Sequence, residues 1–103
     1  MGAPIRFLLA GRGFPLRIDK FLKVSRIIKR RTVARGACDD GRVRVNGHVA
    51  KPGREVEPED RVEVEFGNRI LEIEILQTPS HVPAAKAQET YRVIREDYHE
   101  DRE

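Results

Sequence analysis

The apolar residues of this chain change their spacing once, at Gly41, and that change constrains the fold more than any other feature. Before it, Ile18, Phe21, Leu22 and Ser25 fall at i, i+3, i+4 and i+7, the spacing of one helical face. Lys20 and Lys23 leave that stripe and are expected to point outward. Ile27 and Ile28 anchor the turn into a second helix, predicted from about Arg31 to Asp39, where Ala34, Ala37 and Cys38 offer a narrow packing face. Gly36 weakens this helix by up to ~1 kcal/mol relative to alanine, so tertiary packing must hold it. Gly41 itself is a natural left-handed C-terminal cap.

Beyond Gly41 the period is two. Val43 and Val45 alternate with Arg42 and Arg44, Asn46-Gly47 signals a tight hairpin turn, and His48-Val49-Ala50 returns. Pro52-Gly53 and Pro58-Glu59-Asp60 mark loops around Val56. Val62, Val64 and Phe66 then alternate with Glu63 and Glu65. After Gly67-Asn68, Leu71, Ile73 and Ile75 alternate with Glu72 and Glu74. This is a hairpin with one buried face and one acidic, wet face. Residues 78–83 read as a linker. Ala87, Tyr91 and Ile94 support a third helix from Ala84 to about Glu96. The order predicts one α+β domain, two N-terminal helices packed on a small, mostly antiparallel sheet, plus a C-terminal helix. Residues 1–15, with three glycines and two prolines, read as a loose arm; 16–83 form the domain, and 84–103 the C-terminal helix and acidic tail.

Charge is distributed unevenly. Arg17, Lys20, Lys23, Arg26, Lys29, Arg30, Arg31 and Arg35 face Asp19 alone, whereas residues 36–66 carry eight acids against five bases. Residues 89–103 carry six acids against three bases. Solvated faces usually mix signs, so the first segment is the natural site for a polyanion, and the acidic remainder would repel one. Two helices joined by a tight turn can meet several phosphates across one groove, arginine bidentately and lysine as a point charge. Arg30 and Arg31 stand where free backbone N–H groups at the start of the second helix add positive potential. Asp19 either orients Arg17 or Lys23 through a salt bridge or favours its own helix through the dipole. Asn46 reads first as a turn residue and second as a ribose or phosphate contact.

Other chemistries have little support. With six aromatic residues and no tryptophan, a base-stacking platform is poorly supplied. His48, His81 and His99 lie in different elements without metal-ligand spacing. Ser25 and Ser80 lack a nucleophile-elbow context, and no glycine-rich phosphate loop follows a strand. Cys38 reads as core. No catalytic residue, metal or cofactor is expected. The lone cysteine fits a reducing compartment, and no apolar run approaches the roughly 18 residues of a membrane span. A cytoplasmic, monomeric protein with no membrane partner is expected.

The run from Arg17 to Lys51 resembles the S4-type RNA-binding domain. The matching pieces are Arg17-Ile18-Asp19, the basic start of the second helix, Gly41-Arg42-Val43-Arg44-Val45-Asn46-Gly47, and the Val-x-Lys-Pro that follows. More closely, Lys20-Phe21-Leu22-Lys23-Val24-Ser25-Arg26 with Lys29-Arg30-Arg31-Thr32 is similar to the stand-alone bacterial proteins of the heat-shock-fifteen and RqcP group, over roughly Arg17 to Ile94. The resemblance implies a role in ribosome-associated quality control without an active site. Such a protein binds large-subunit rRNA and peptidyl-tRNA on a stalled, split ribosome and helps a tailing factor extend the nascent chain. The ending Glu100-Asp101-Arg102-Glu103 favours the RqcP branch over the heat-shock branch, which typically ends in a basic extension. Carried over by position, Arg17 and Arg31 lead as RNA contacts. Lys20, Lys23, Arg26, Lys29, Arg30 and Arg35 extend the surface, and Thr32 caps the helix or contacts phosphate. Arg30 departs from more distant relatives, which often have a small hydroxyl residue there; this puts side-chain capping in question and adds charge.

Two readings of residues 1–15 stay open. Relatives of this kind usually start at the position of Leu16, leucine codons can initiate in bacteria, and Arg12-Gly13 can be encoded by a purine run resembling a ribosome-binding site. Translation would then begin at position 16. The rival is a genuine arm in which Arg6 and Arg12 add phosphate contacts. Three functional alternatives also stand beside the tailing adaptor: a heat-shock-type recycler of nascent-chain-blocked subunits, a protein-interaction module built on the acidic sheet, and an RNA-modifying enzyme, for which the chain lacks a catalytic domain.

Overall fold

A computed structural model describes residues 15–98. The predicted loose arm, apart from Pro15, lies outside the described residues with its Arg6 and Arg12, as does the acidic end beyond Tyr98. A two-residue strand, β1 (Leu16–Arg17), leads into α1 (Ile18–Val24), and a short connection leads to α2 (Arg31–Asp39). Strands β2 (Val43–Val45), β3 (His48–Val49), β4 (Glu55–Val56), β5 (Arg61–Phe66) and β6 (Arg69–Ile75) follow. A 3-10 helix (Ala84–Thr90) and β7 (Tyr91–Tyr98) complete the described chain. The main sheet is antiparallel in the order β3-β2-β5-β6-β7, and β1 pairs with β4 in a separate two-stranded ribbon.

Both predicted N-terminal helices form, with their expected faces inward. Ile18, Phe21 and Leu22 of α1 are fully buried, as are Val43, Val45, Val62, Val64, Ile73 and Ile75 of the sheet. Ala34 and Ala37 of α2 and the turn residue Ile28 close the same core. Burial of each large side chain contributes about 1.5–3 kcal/mol. The small residues of α2 let the two helices approach closely. That approach places their N-terminal ends side by side.

The turns follow from backbone chemistry. Asn46 (φ 52°) and Gly47 (φ 88°) are both left-handed, as a two-residue β2–β3 hairpin requires. Gly41 (φ 78°) ends α2: its N–H donates to the Cys38 carbonyl (3.0 Å) and the Arg42 N–H to the Ala37 carbonyl (2.9 Å).

The C-terminal segment departs from its predicted course. The helix expected from Ala84 to about Glu96 is one short 3-10 helix to Thr90, after which the chain becomes the eight-residue strand β7. Tyr91 and Ile94, three apart as on a helical face, are both half-buried in this strand. The reason is a bulge: Ile73 pairs with Val93 and Glu72 with Arg95, so Ile94 is the extra residue that shifts the alternation. The glutamates of the β5–β6 hairpin are less wet than their alternation predicts, because β2 and β7 set arginines beside them.

Candidate nucleic-acid interface

The interface starts where β1 becomes α1. No side chain caps α1; instead the Ile18 N–H donates to the Arg54 carbonyl (2.7 Å) and the Asp19 N–H to the Pro52 carbonyl (3.3 Å). The 51–54 loop thus satisfies two of the orphan donors of the first helical turn and fixes where Arg17 and Asp19 stand.

Asp19 is fully buried. Arg17 donates to it bidentately, Nε to Oδ1 at 3.2 Å and Nη2 to Oδ2 at 3.1 Å. From the start of α2, Arg31 Nη2 reaches Oδ1 at 3.4 Å. Burial by itself would raise the carboxyl's pKa, but hydrogen bonds and charge from the two guanidiniums outweigh it and hold the group below its ordinary 3.8. Both guanidiniums stay open to solvent, with 48% and 42% of their side chains exposed. One buried anion therefore aims two cations that are fourteen residues apart in sequence. Both sequence readings for Asp19 hold: it stands in the first turn of α1, and it orients Arg17, with Arg31 rather than Lys23 as the second partner.

The other bases surround this pair. Lys23, Arg26, Lys29, Arg30 and Arg35 are exposed and Lys20 half-exposed, and among the described residues none of them forms an ion pair. Arg26 has φ +67°. Its N–H donates to the Lys23 carbonyl (3.0 Å), the terminating role that Gly41 fills for α2. An arginine thus occupies a left-handed position at which glycine costs less, and the buried Ser25 supports the turn: its hydroxyl donates to the Leu22 carbonyl and accepts from the Ile27 N–H. Arg30 precedes α2 without a side-chain cap, and Thr32 is exposed with no side-chain hydrogen bond, so the hydroxyl does not cap the helix. Asn46 lies on the sheet side, where its amide oxygen accepts from the Arg61 N–H (3.0 Å) and its nitrogen donates to Asp60 (3.2 Å). The turn engages both ends of that amide.

The sheet's outer face is arranged differently. Arg44 contacts Glu63 and Glu65, Arg95 contacts Glu63, Glu72 and Asp97, and Arg92 pairs with Glu74. Arg69 pairs with Glu96 and stacks over Phe66, 4.6 Å from the ring centre. These bases neutralise their own acids. Apart from Asp97, the acids that meet Arg92 and Arg95 come from other strands, so the local sequence of β7 does not announce them.

Cys38 is buried; desolvation, with the charges of Asp19 and Asp39, pushes its thiol up to about 11. Among the described residues no group of three or more His, Cys, Asp or Glu could hold a metal ion, and no helix is long and apolar enough to cross a membrane.

The chain is similar to known proteins over most of its length. Residues 16–62 match the S4 domain. The RQC P-site tRNA stabilizing factor of Streptococcus pneumoniae is 44% identical over 81 residues, covering 79% of this chain and 92% of that protein. The Bacillus subtilis factor of the same name is 38% identical over 82 residues, covering 80% and 95%. Heat shock protein 15 of Vibrio cholerae, solved as a trimer, superposes with a TM-score of 0.73 at 32% identity, covering 79% of this chain and 83% of that one. The protein is thus a member of the S4-domain family to which the RQC P-site tRNA stabilizing factors belong.

Proposed function

We propose that this protein is a cytosolic RNA-binding adaptor of ribosome-associated quality control. It holds large-subunit rRNA and peptidyl-tRNA on a stalled, split ribosome, so that a tailing factor can extend the nascent chain at its C-terminus. The observation that carries this reading is the placement of Arg17 and Arg31 on one buried carboxylate, amid bases with no acid of their own. Guanidiniums with one edge fixed by Asp19 keep donors free for phosphate oxygens, and their geometry is set before RNA arrives. Such a surface positions RNA and needs no cofactor or catalytic group. The similarity to the P-site factors over nearly their whole length supports tRNA as one of the ligands.

A second reading, a heat-shock-type recycler of blocked subunits that needs no tailing partner, draws on the likeness to heat shock protein 15. A tagged chain pulled from cells under translational stress separates the two. Large subunits, tRNA and a tailing factor should come together; subunits and tRNA without any tailing factor would favour the recycler. Absence of RNA from the pull-down would remove both.

A further inference from the structure

The 51–54 loop does more than cap α1. Lys51 and Arg54 are exposed, and among the described residues neither forms an ion pair, although Glu55 is the next residue in the chain. Their loop is fixed to the interface by the backbone bonds from Ile18 and Asp19, and by the pairing of Arg17 with Glu55 across β1 and β4. Between the two bases stands Gly53. A Cβ built there would lie 3.9 Å from Arg17 Cζ and 4.0 Å from Nη2, which is ordinary contact, and Gly53 is not in the left-handed region. The backbone therefore does not demand glycine. What its missing side chain does is leave one flank of the Arg17 guanidinium uncovered.

We propose that Lys51 and Arg54 form a second phosphate-contacting subsite, continuous with Arg17 through the 51–54 loop. In it Gly53 keeps Arg17 open to the same RNA backbone. The inference rests on the RNA-binding reading and extends it from the helix pair to the loop. A phosphodiester backbone fits because its charges repeat, and the three bases are held on one backbone-bonded corner. Arg17 would then join the RNA-binding surface of the helix pair to the loop.

The test is fluorescence anisotropy with end-labelled bacterial tRNA, titrated with salt, on the full chain. The double variant K51Q/R54Q should lower the slope of log affinity against log salt by about 1.4–1.8, the loss of two phosphate contacts. G53L, whose side chain would cover the Arg17 guanidinium, should lower it by about 0.7–0.9 in the wild-type background and hardly at all when R17Q is already present. G53A, placing only a methyl at ordinary contact distance, should match wild type. Melting curves of each variant check the fold, and K51Q/R54Q alone still decides if G53L does not fold. An unchanged slope in K51Q/R54Q overturns the loop subsite while the RNA-binding reading stands. A flat salt dependence in the wild type overturns both.

Discussion

The helix pair and the sheet are both rich in arginine, yet they use it in opposite ways. On the sheet, Arg44, Arg92 and Arg95 each lie against carboxylates of neighbouring strands, so that face is closed electrostatically. On the helices one acid serves two arginines and the remaining bases have none. The acid that sets this difference is buried between its partners, where it orients them without screening the outer surface. The lesson is that arginine content does not identify a polyanion site; the number of carboxylates within reach does. It also weakens the reading of the sheet as an acidic docking module, because its glutamates already have partners.

The largest expected effect comes from breaking the open face. R17Q/R31Q should reduce co-sedimentation with large subunits by ~100-fold or more, from two charge-assisted contacts at about 1.5–3 kcal/mol each, measured below the melting temperature, which falls because Asp19 loses both cations. Survival of the association in this double variant would falsify the site assignment. Charge reversal on the closed face, R92E/R95E, should change RNA affinity by no more than about twofold.

Next is Asp19→Asn. The substitution raises net charge by one, so a purely electrostatic surface would bind RNA more tightly. Positioning by Asp19 instead requires affinity to fall, by about tenfold, in the same sedimentation assay. The pH dependence follows from the lowered pKa. Because the folded value lies below the ordinary 3.8, the carboxylate's contribution is fully present above that value and is lost as pH falls through the folded one. The stability gap between wild type and D19N, measured by urea unfolding, should stay constant from neutral pH to about 5 and close only in stronger acid.

R26G tests whether the strained arginine is kept for binding. Relief of the left-handed backbone should stabilise the fold by about 1 kcal/mol in urea unfolding, while the salt slope of tRNA binding drops by about 0.7–0.9. A destabilised R26G, or one with an unchanged slope, would separate the strain from function. The smallest effect is expected for R95A: a slightly lower melting temperature that approaches wild type in high salt, with RNA binding unaltered.

Much of this molecule was legible before its structure. The stripe through Ile18, Phe21 and Leu22, the cap at Gly41, the Asn46-Gly47 turn and the alternating β5–β6 pair are local patterns, and local patterns specify local conformations. Tyr91 and Ile94 misled for the same reason, because a bulged strand and a helix can share a three-residue spacing. Their segment becomes a strand only because β6 offers it hydrogen bonds and Glu72 and Glu74 offer its arginines partners.

The sequence by itself therefore determined both N-terminal helices, the β2–β3 hairpin and the β5–β6 pair, and that the excess of positive charge lies between Arg17 and Arg35; the short ribbon of β1 and β4 it did not announce. Tertiary structure alone decided how that charge is presented. Arg31 meets Asp19 because α1 and α2 pack through small residues, and the 51–54 loop meets Arg17 because its carbonyls satisfy the first turn of α1. Charge content is a sum along the chain, whereas the pairing of charges depends on distances that only packing sets.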